Sequence, residues 1–126
     1  MASILIIDDD DEFRGALEQM LVAGGHAVTV AGDGLEGTKL FRAAPTDLIL
    51  IDMVMPHSGL MAIQVLRDQH PGLKMIAMSG AGSHRLDYAR GFGALRSLAK
   101  PFTPQQLAEA IATTLAAPPA KPSTKP

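Results

Sequence analysis

The sequence predicts an α/β fold: a parallel sheet with helices on both faces, a three-layer sandwich. Three observations lead there. The short apolar runs "ILII" (4–7), "LILI" (48–51) and "MIAM" (75–78) lack polar alternation, as expected of strands buried on both faces. Helix-length segments separate them, with apolar residues recurring every three or four positions. Five such strand–helix pairs fit into roughly 115 residues without an internal repeat, and that alternation implies a parallel sheet.

The elements follow in order. "HAVTVA" (26–31) alternates at Val28 and Val30, which suits a half-covered edge strand, and "LRSLA" (95–99) is a weaker second edge. Phe13, Leu17 and Leu21 line the first helix, with Ala16 and Met20 alongside. Leu35 opens a second, carrying Leu40, Phe41 and Ala44; Leu60, Met61, Ile63 and Leu66 line a third. A short fourth helix is expected over 83–91, hemmed in by Gly80, Gly82, Gly91 and Gly93. The last carries Leu107, Ile111 and Leu115, and starts at Thr103-Pro104, a cap residue followed by proline at the first helical position. Beyond Ala117, "PPAKPSTKP" offers no core residue. The chain therefore divides into a folded domain, 1–117, and a proline-rich disordered tail, 118–126.

Composition narrows the function. At 126 residues the chain is one domain with room for a real core. A net charge of −2 gives no basic surface for nucleic acid. The lack of cysteine excludes disulfides, thiolate metal sites and cysteine nucleophiles. No apolar run approaches the roughly 20 residues of a membrane span, and no secretory signal opens the chain. A cytoplasmic location follows by default.

The chemistry lies at one rim. In open parallel sheets, sites form beyond the carboxyl ends of the strands, where strand order reverses. The first strand ends at Asp8-Asp9, the third at Asp52, the fourth at Ser79 and the fifth at Lys100. Taken singly, each has an ordinary explanation as a helix cap or a solvated loop residue. Together they suit phosphoryl transfer to a carboxylate. Asp52 is the candidate nucleophile, charged at neutral pH and needing no general base. Asp8 and Asp9 can bring a hard cation such as Mg²⁺. Lys100 offers fixed positive charge to a phosphoryl oxygen, and the Ser79 hydroxyl can donate to another. Asp10, Asp11 and Glu12 suit the first turn of a helix, with Asp10 or Asp11 as its cap.

Jointly, "ILIIDDDD", "DLILIDMVMP", "MIAMSG" and "SLAKPF" resemble the receiver domain of two-component response regulators, over residues 3 to 116. The resemblance implies a flavodoxin-like five-stranded sheet of order 2-1-3-4-5. It implies that Asp52 accepts phosphate from a sensor histidine kinase or a histidine phosphotransfer protein. Asp8, Asp9, Asp52 and the Val54 backbone carbonyl are then the protein ligands to Mg²⁺. Ser79 matches the switch hydroxyl, and Lys100 matches a lysine followed by a cis proline. Such a domain catalyses only its own phosphotransfer and dephosphorylation. It signals to a downstream effector by conformational change or phosphorelay, in some cases as a phosphorylation-dependent homodimer. No output domain is expected in this chain, since the tail is too short to fold into one.

Three departures from the family pattern stand out. The turn at Ser58-Gly59 is one residue short and lacks the usual aspartate. Ser97 replaces the Tyr or Phe that moves with the switch hydroxyl, which removes the usual coupling but not phosphorylation. The segment "SGAGSHRLDYARGFGALR" is glycine-rich. Val54 and Ala81 offer no polar side chain to position an attacking water, so self-dephosphorylation is expected to be slow; an acyl-phosphate lifetime of only seconds would contradict this.

Smaller features carry less. His26, His57, His70 and His84 are scattered and do not suggest a metal site. Met53, Met55, Met75 and Met78 read as core filling, and "AGDGLEG" as a turn and helix start. Two other functions compete. A small Mg²⁺-dependent phosphatase using an aspartyl-phosphate intermediate would employ Asp8-x-Asp10, but Glu12 stands where that family has Thr or Val, and no substrate-capping insertion is present. A degenerate receiver serving as a protein-binding scaffold is encouraged by Ser97 and opposed by the complete set of Asp8, Asp9, Asp52, Ser79 and Lys100.

Overall fold

The computed structural model describes residues 1–52, 59–79 and 96–117. The strands are β1 (Ser3–Ile7), β2 (Ala27–Ala31), β3 (Leu48–Asp52), β4 (Met75–Ser79) and β5 (Arg96–Ala99). The helices are α1 (Asp11–Ala23), α2 (Gly34–Ala43), α3 (Gly59–Gln69) and α4 (Pro104–Ala116). All strand pairs are parallel, in the order β2-β1-β3-β4-β5, the order implied by the family resemblance. The helix expected over 83–91 and the tail from 118 lie outside the described residues.

Side-chain alternation explains the three layers. Leu5, Ile7, Ile49, Ile51, Met75 and Ala77 point to one face and pack with Phe41 of α2 and Leu66 of α3. Ile4, Ile6, Leu48, Leu50, Ile76 and Met78 point to the other and pack with Leu17 and Leu21 of α1 and with Leu107 and Ile111 of α4. Both faces of the central strands are dry, which is why their sequences show no polar alternation. Edge strand β2 instead alternates, with Val28 and Val30 half-buried between exposed Ala27 and Thr29.

Capping matches local chemistry. Thr103 accepts from the Gln106 N–H, and the Gln106 side chain accepts from the Thr103 N–H, closing a capping box at the start of α4. At the far end, Lys74 Nζ donates to the Leu115 carbonyl at 2.6 Å, satisfying an acceptor of the last turn.

One helix face differs from expectation. Leu35 is 67% exposed, whereas Gly34, Gly37, Thr38 and Phe41 form the buried side of α2. Glycine is what lets that helix approach β1. A Cβ at Gly37 would lie 2.7 Å from Ile7 Cγ1 and closer still to Cδ1, and Ile7 is fully buried. Overpacking typically costs about 1–3 kcal/mol, against roughly 1 kcal/mol that alanine gains over glycine in a helix. Gly37→Ala therefore lowers the urea midpoint; a raised midpoint would contradict this packing.

Candidate carboxylate site at the sheet rim

The site begins where β1 runs out. The Asp8 N–H donates to the Ala31 carbonyl at 3.1 Å, carrying the β1–β2 pairing one residue past Ile7. The chain then bends: Asp8 Oδ1 accepts from the Asp10 N–H at 2.9 Å. Asp10 is the N-cap of α1, its Oδ1 accepting from the Phe13 N–H at 3.0 Å. That role commits Asp10 to the helix and leaves Asp8 and Asp9 facing the rim.

Asp52 ends β3 on the same side of the sheet as Leu48 and Leu50, in register with Met78 of β4. Lys100 follows β5, and its peptide bond to Pro101 is cis. Its Nζ donates to Asp8 Oδ2 at 2.8 Å and to Asp52 Oδ2 at 3.3 Å. Ligand oxygens of Asp8, Asp9 and Asp52 lie within 4.8 Å of one another. The side chains of Asp8 and Asp52 are 0% and 6% exposed, while Asp9 is open to solvent. Residues 44 and 92 positions from Asp8 thus meet at one point, as the strand ends dictate.

Among the described residues, the Asp8, Asp9 and Asp52 carboxylates gather beside the Lys100 ammonium. Burial pulls the Lys100 pKa down, but the hydrogen bond and charge of Asp8, then the charge and hydrogen bond of Asp52, more than offset it, so the lysine titrates above its ordinary value. Hard oxygen donors with excess negative charge are what a small divalent cation takes. The backbone of Ser79 closes β4 opposite Ala99, on the same rim. Val54 lies outside the described residues.

Two contributors were not legible as such. Phe13, which the helical spacing assigns to the core, is half-buried with its ring under the Lys100 ammonium, 4.1 Å from centroid to Nζ. Arg14 Nη1 donates to the Asp8 carbonyl at 2.7 Å, and its other nitrogen pairs with Asp11. The signal was present in the register: both residues sit in the first turns of the helix that follows the acids.

Residues 4–112 match the response regulator receiver domain family. The chain belongs to this family. The receiver domain is 35% identical over 118 residues to the transcriptional regulatory protein CpxR of Escherichia coli K12, covering 91% of this chain and 50% of CpxR. It is 43% identical over 67 residues to the transcriptional regulatory protein AfsQ1 of Streptomyces coelicolor, covering 53% of this chain and 29% of AfsQ1. Its backbone matches a response regulator receiver domain protein from Clostridium thermocellum with a TM-score of 0.83 at 30% identity, covering 91% and 94% of the two chains. The chain spans about half the length, or less, of the curated relatives it matches. Among the described residues, no helix of the receiver domain is long and apolar enough to cross a membrane.

Proposed function

We propose that this receiver domain takes a phosphoryl group onto Asp52 and that the acyl phosphate carries a signal. The supporting observation is the convergence of Asp8, Asp9 and Asp52 within 4.8 Å, with Lys100 bonded to two of them. Mg²⁺, held by Asp8, Asp9, Asp52 and the Val54 carbonyl, would supply the positive charge that lets an anionic donor approach an anionic nucleophile. An Asp52 carboxylate oxygen attacks phosphorus. The bond from phosphorus to the donor breaks, and its electron pair leaves on the imidazole nitrogen of a phosphohistidine, which then takes a proton. Lys100 exchanges its contact with Asp52 for one with a phosphoryl oxygen. The Ser79 hydroxyl donates to another.

The donor in this reading is a sensor histidine kinase or a histidine phosphotransfer protein, and the signal passes to an effector by conformational change or phosphorelay. A phosphatase built on Asp8-x-Asp10 is disfavoured, because the Asp10 carboxylate is occupied in capping α1. The test is incubation with acetyl phosphate and Mg²⁺ followed by intact mass measurement. One phosphoryl group is expected, absent when EDTA replaces the metal. No added mass under any Mg²⁺ concentration would refute the proposal.

A further inference from the structure

We infer that Phe13 is a positioning residue for phosphoryl transfer, its ring face holding the Lys100 ammonium at the carboxylate cluster. The inference rests on the phosphoacceptor reading of Asp52. Lysine carries a long flexible stem, and an ammonium that stabilises a phosphoryl oxygen is useful only where the oxygen will be. Of its two hydrogen bonds, the one to Asp52 must yield when phosphate arrives, which leaves the one to Asp8 as the carboxylate contact, among the described residues, that persists. The contact with Phe13 need not yield. Nζ lies 4.1 Å from the ring centroid, well inside the roughly 6 Å over which a cation is attracted to an aromatic face.

The ring is itself braced. Phe102, two residues beyond Lys100, meets Phe13 edge to face, with centroids 5.6 Å apart and planes at 84°. The loop that carries the lysine therefore packs on the ring that receives it, and α1 is tied to the end of β5. The Lys100 side chain is only 18% exposed, so the attraction operates partly shielded from water.

The test compares the full chain with Phe13→Leu, which keeps apolar bulk without a π face, and Phe13→Tyr, which restores the face. Phosphorylation by acetyl phosphate at saturating Mg²⁺ should slow roughly 3- to 30-fold in the leucine variant, the span expected of cation–π contacts, and recover with tyrosine. The second readout needs no chemistry. The Lys100 ε-methylene protons should be shifted upfield by the ring current in the wild type and in Phe13→Tyr, and should return to ordinary lysine positions in Phe13→Leu. A leucine variant as fast as wild type, a tyrosine variant as slow as leucine, or unshifted protons in the wild type would each overturn the inference. A wild-type chain that takes up no phosphate would instead overturn the reading of Asp52, and Phe13's role with it.

Discussion

Lys100→Met is expected to lose about 3–5 kcal/mol of stability, the usual result of removing one partner from a buried ion pair. Asp8 is fully buried and Asp52 nearly so, and the ammonium that both accept from would be gone. The Asp10 N–H would still serve Asp8, but a neutral donor cannot cancel the charge. The double variant Asp8→Asn/Lys100→Met should regain most of the loss, since it removes a buried carboxylate along with its counter-ion. Urea titrations of the three proteins decide the matter; a single variant within 1 kcal/mol of wild type, by roughly the scale of a surface pair, would show that the bridge contributes little. The pH dependence carries a sign. The lysine pKa is raised in the folded state, so its stabilisation is complete below the ordinary value of 10.5 and is lost as pH climbs through the folded value. Wild type should weaken on that alkaline limb by more than Lys100→Met does.

Asp52→Asn should take up no phosphate and yet, without divalent metal, outlast the wild type on heating. Asp52 feels repulsion from Asp8 and Asp9 within 4.8 Å and attraction from Lys100 at 3.3 Å. At the effective dielectric near a protein surface, each repulsion at such a separation is about 3.5 kcal/mol or more and the Lys100 attraction about 5 kcal/mol. Asp9 is exposed and its share is screened, yet the repulsion from buried Asp8 and the cost of burying a charge both favour a neutral side chain at 52. Melting curves with EDTA should place Asp52→Asn a few degrees higher. Adding Mg²⁺ should raise the wild type more than the variant. The opposite order would mean that the carboxylates do not strain one another.

Both effects trace to the gathering of Asp8, Asp9, Asp52 and Lys100 at one rim of the sheet. Much of this was legible in the sequence. Uninterrupted apolar runs at 4–7, 48–51 and 75–78 marked the central strands, because only strands covered on both faces dispense with polar residues. The alternation at Val28 and Val30 marked β2 as an edge, and Thr103-Pro104 marked the start of α4. The site followed from the strand ends, since a parallel sheet places all its carboxyl ends on one rim. What periodicity could not resolve was the use of particular side chains. Leu35 fits the apolar pattern of α2 yet faces solvent, because Gly37 lets the helix settle on Ile7 by its small-residue side. Phe13 also fits an apolar stripe. Spacing records that a residue is apolar and cannot say that its ring lies against a lysine 87 positions later, a contact fixed only once β5 ends beside α1.

Whether Asp52 anchors the phosphate is decided by locating the acyl phosphate. Borohydride reduces an aspartyl phosphate to homoserine, and peptide mass spectrometry then reads the position. After reaction with acetyl phosphate and Mg²⁺, homoserine is predicted at residue 52 and nowhere else. Homoserine at Asp8 or Asp9, or phosphate retained on a serine with Asp52 intact, would show that Asp52 is not the phosphoacceptor.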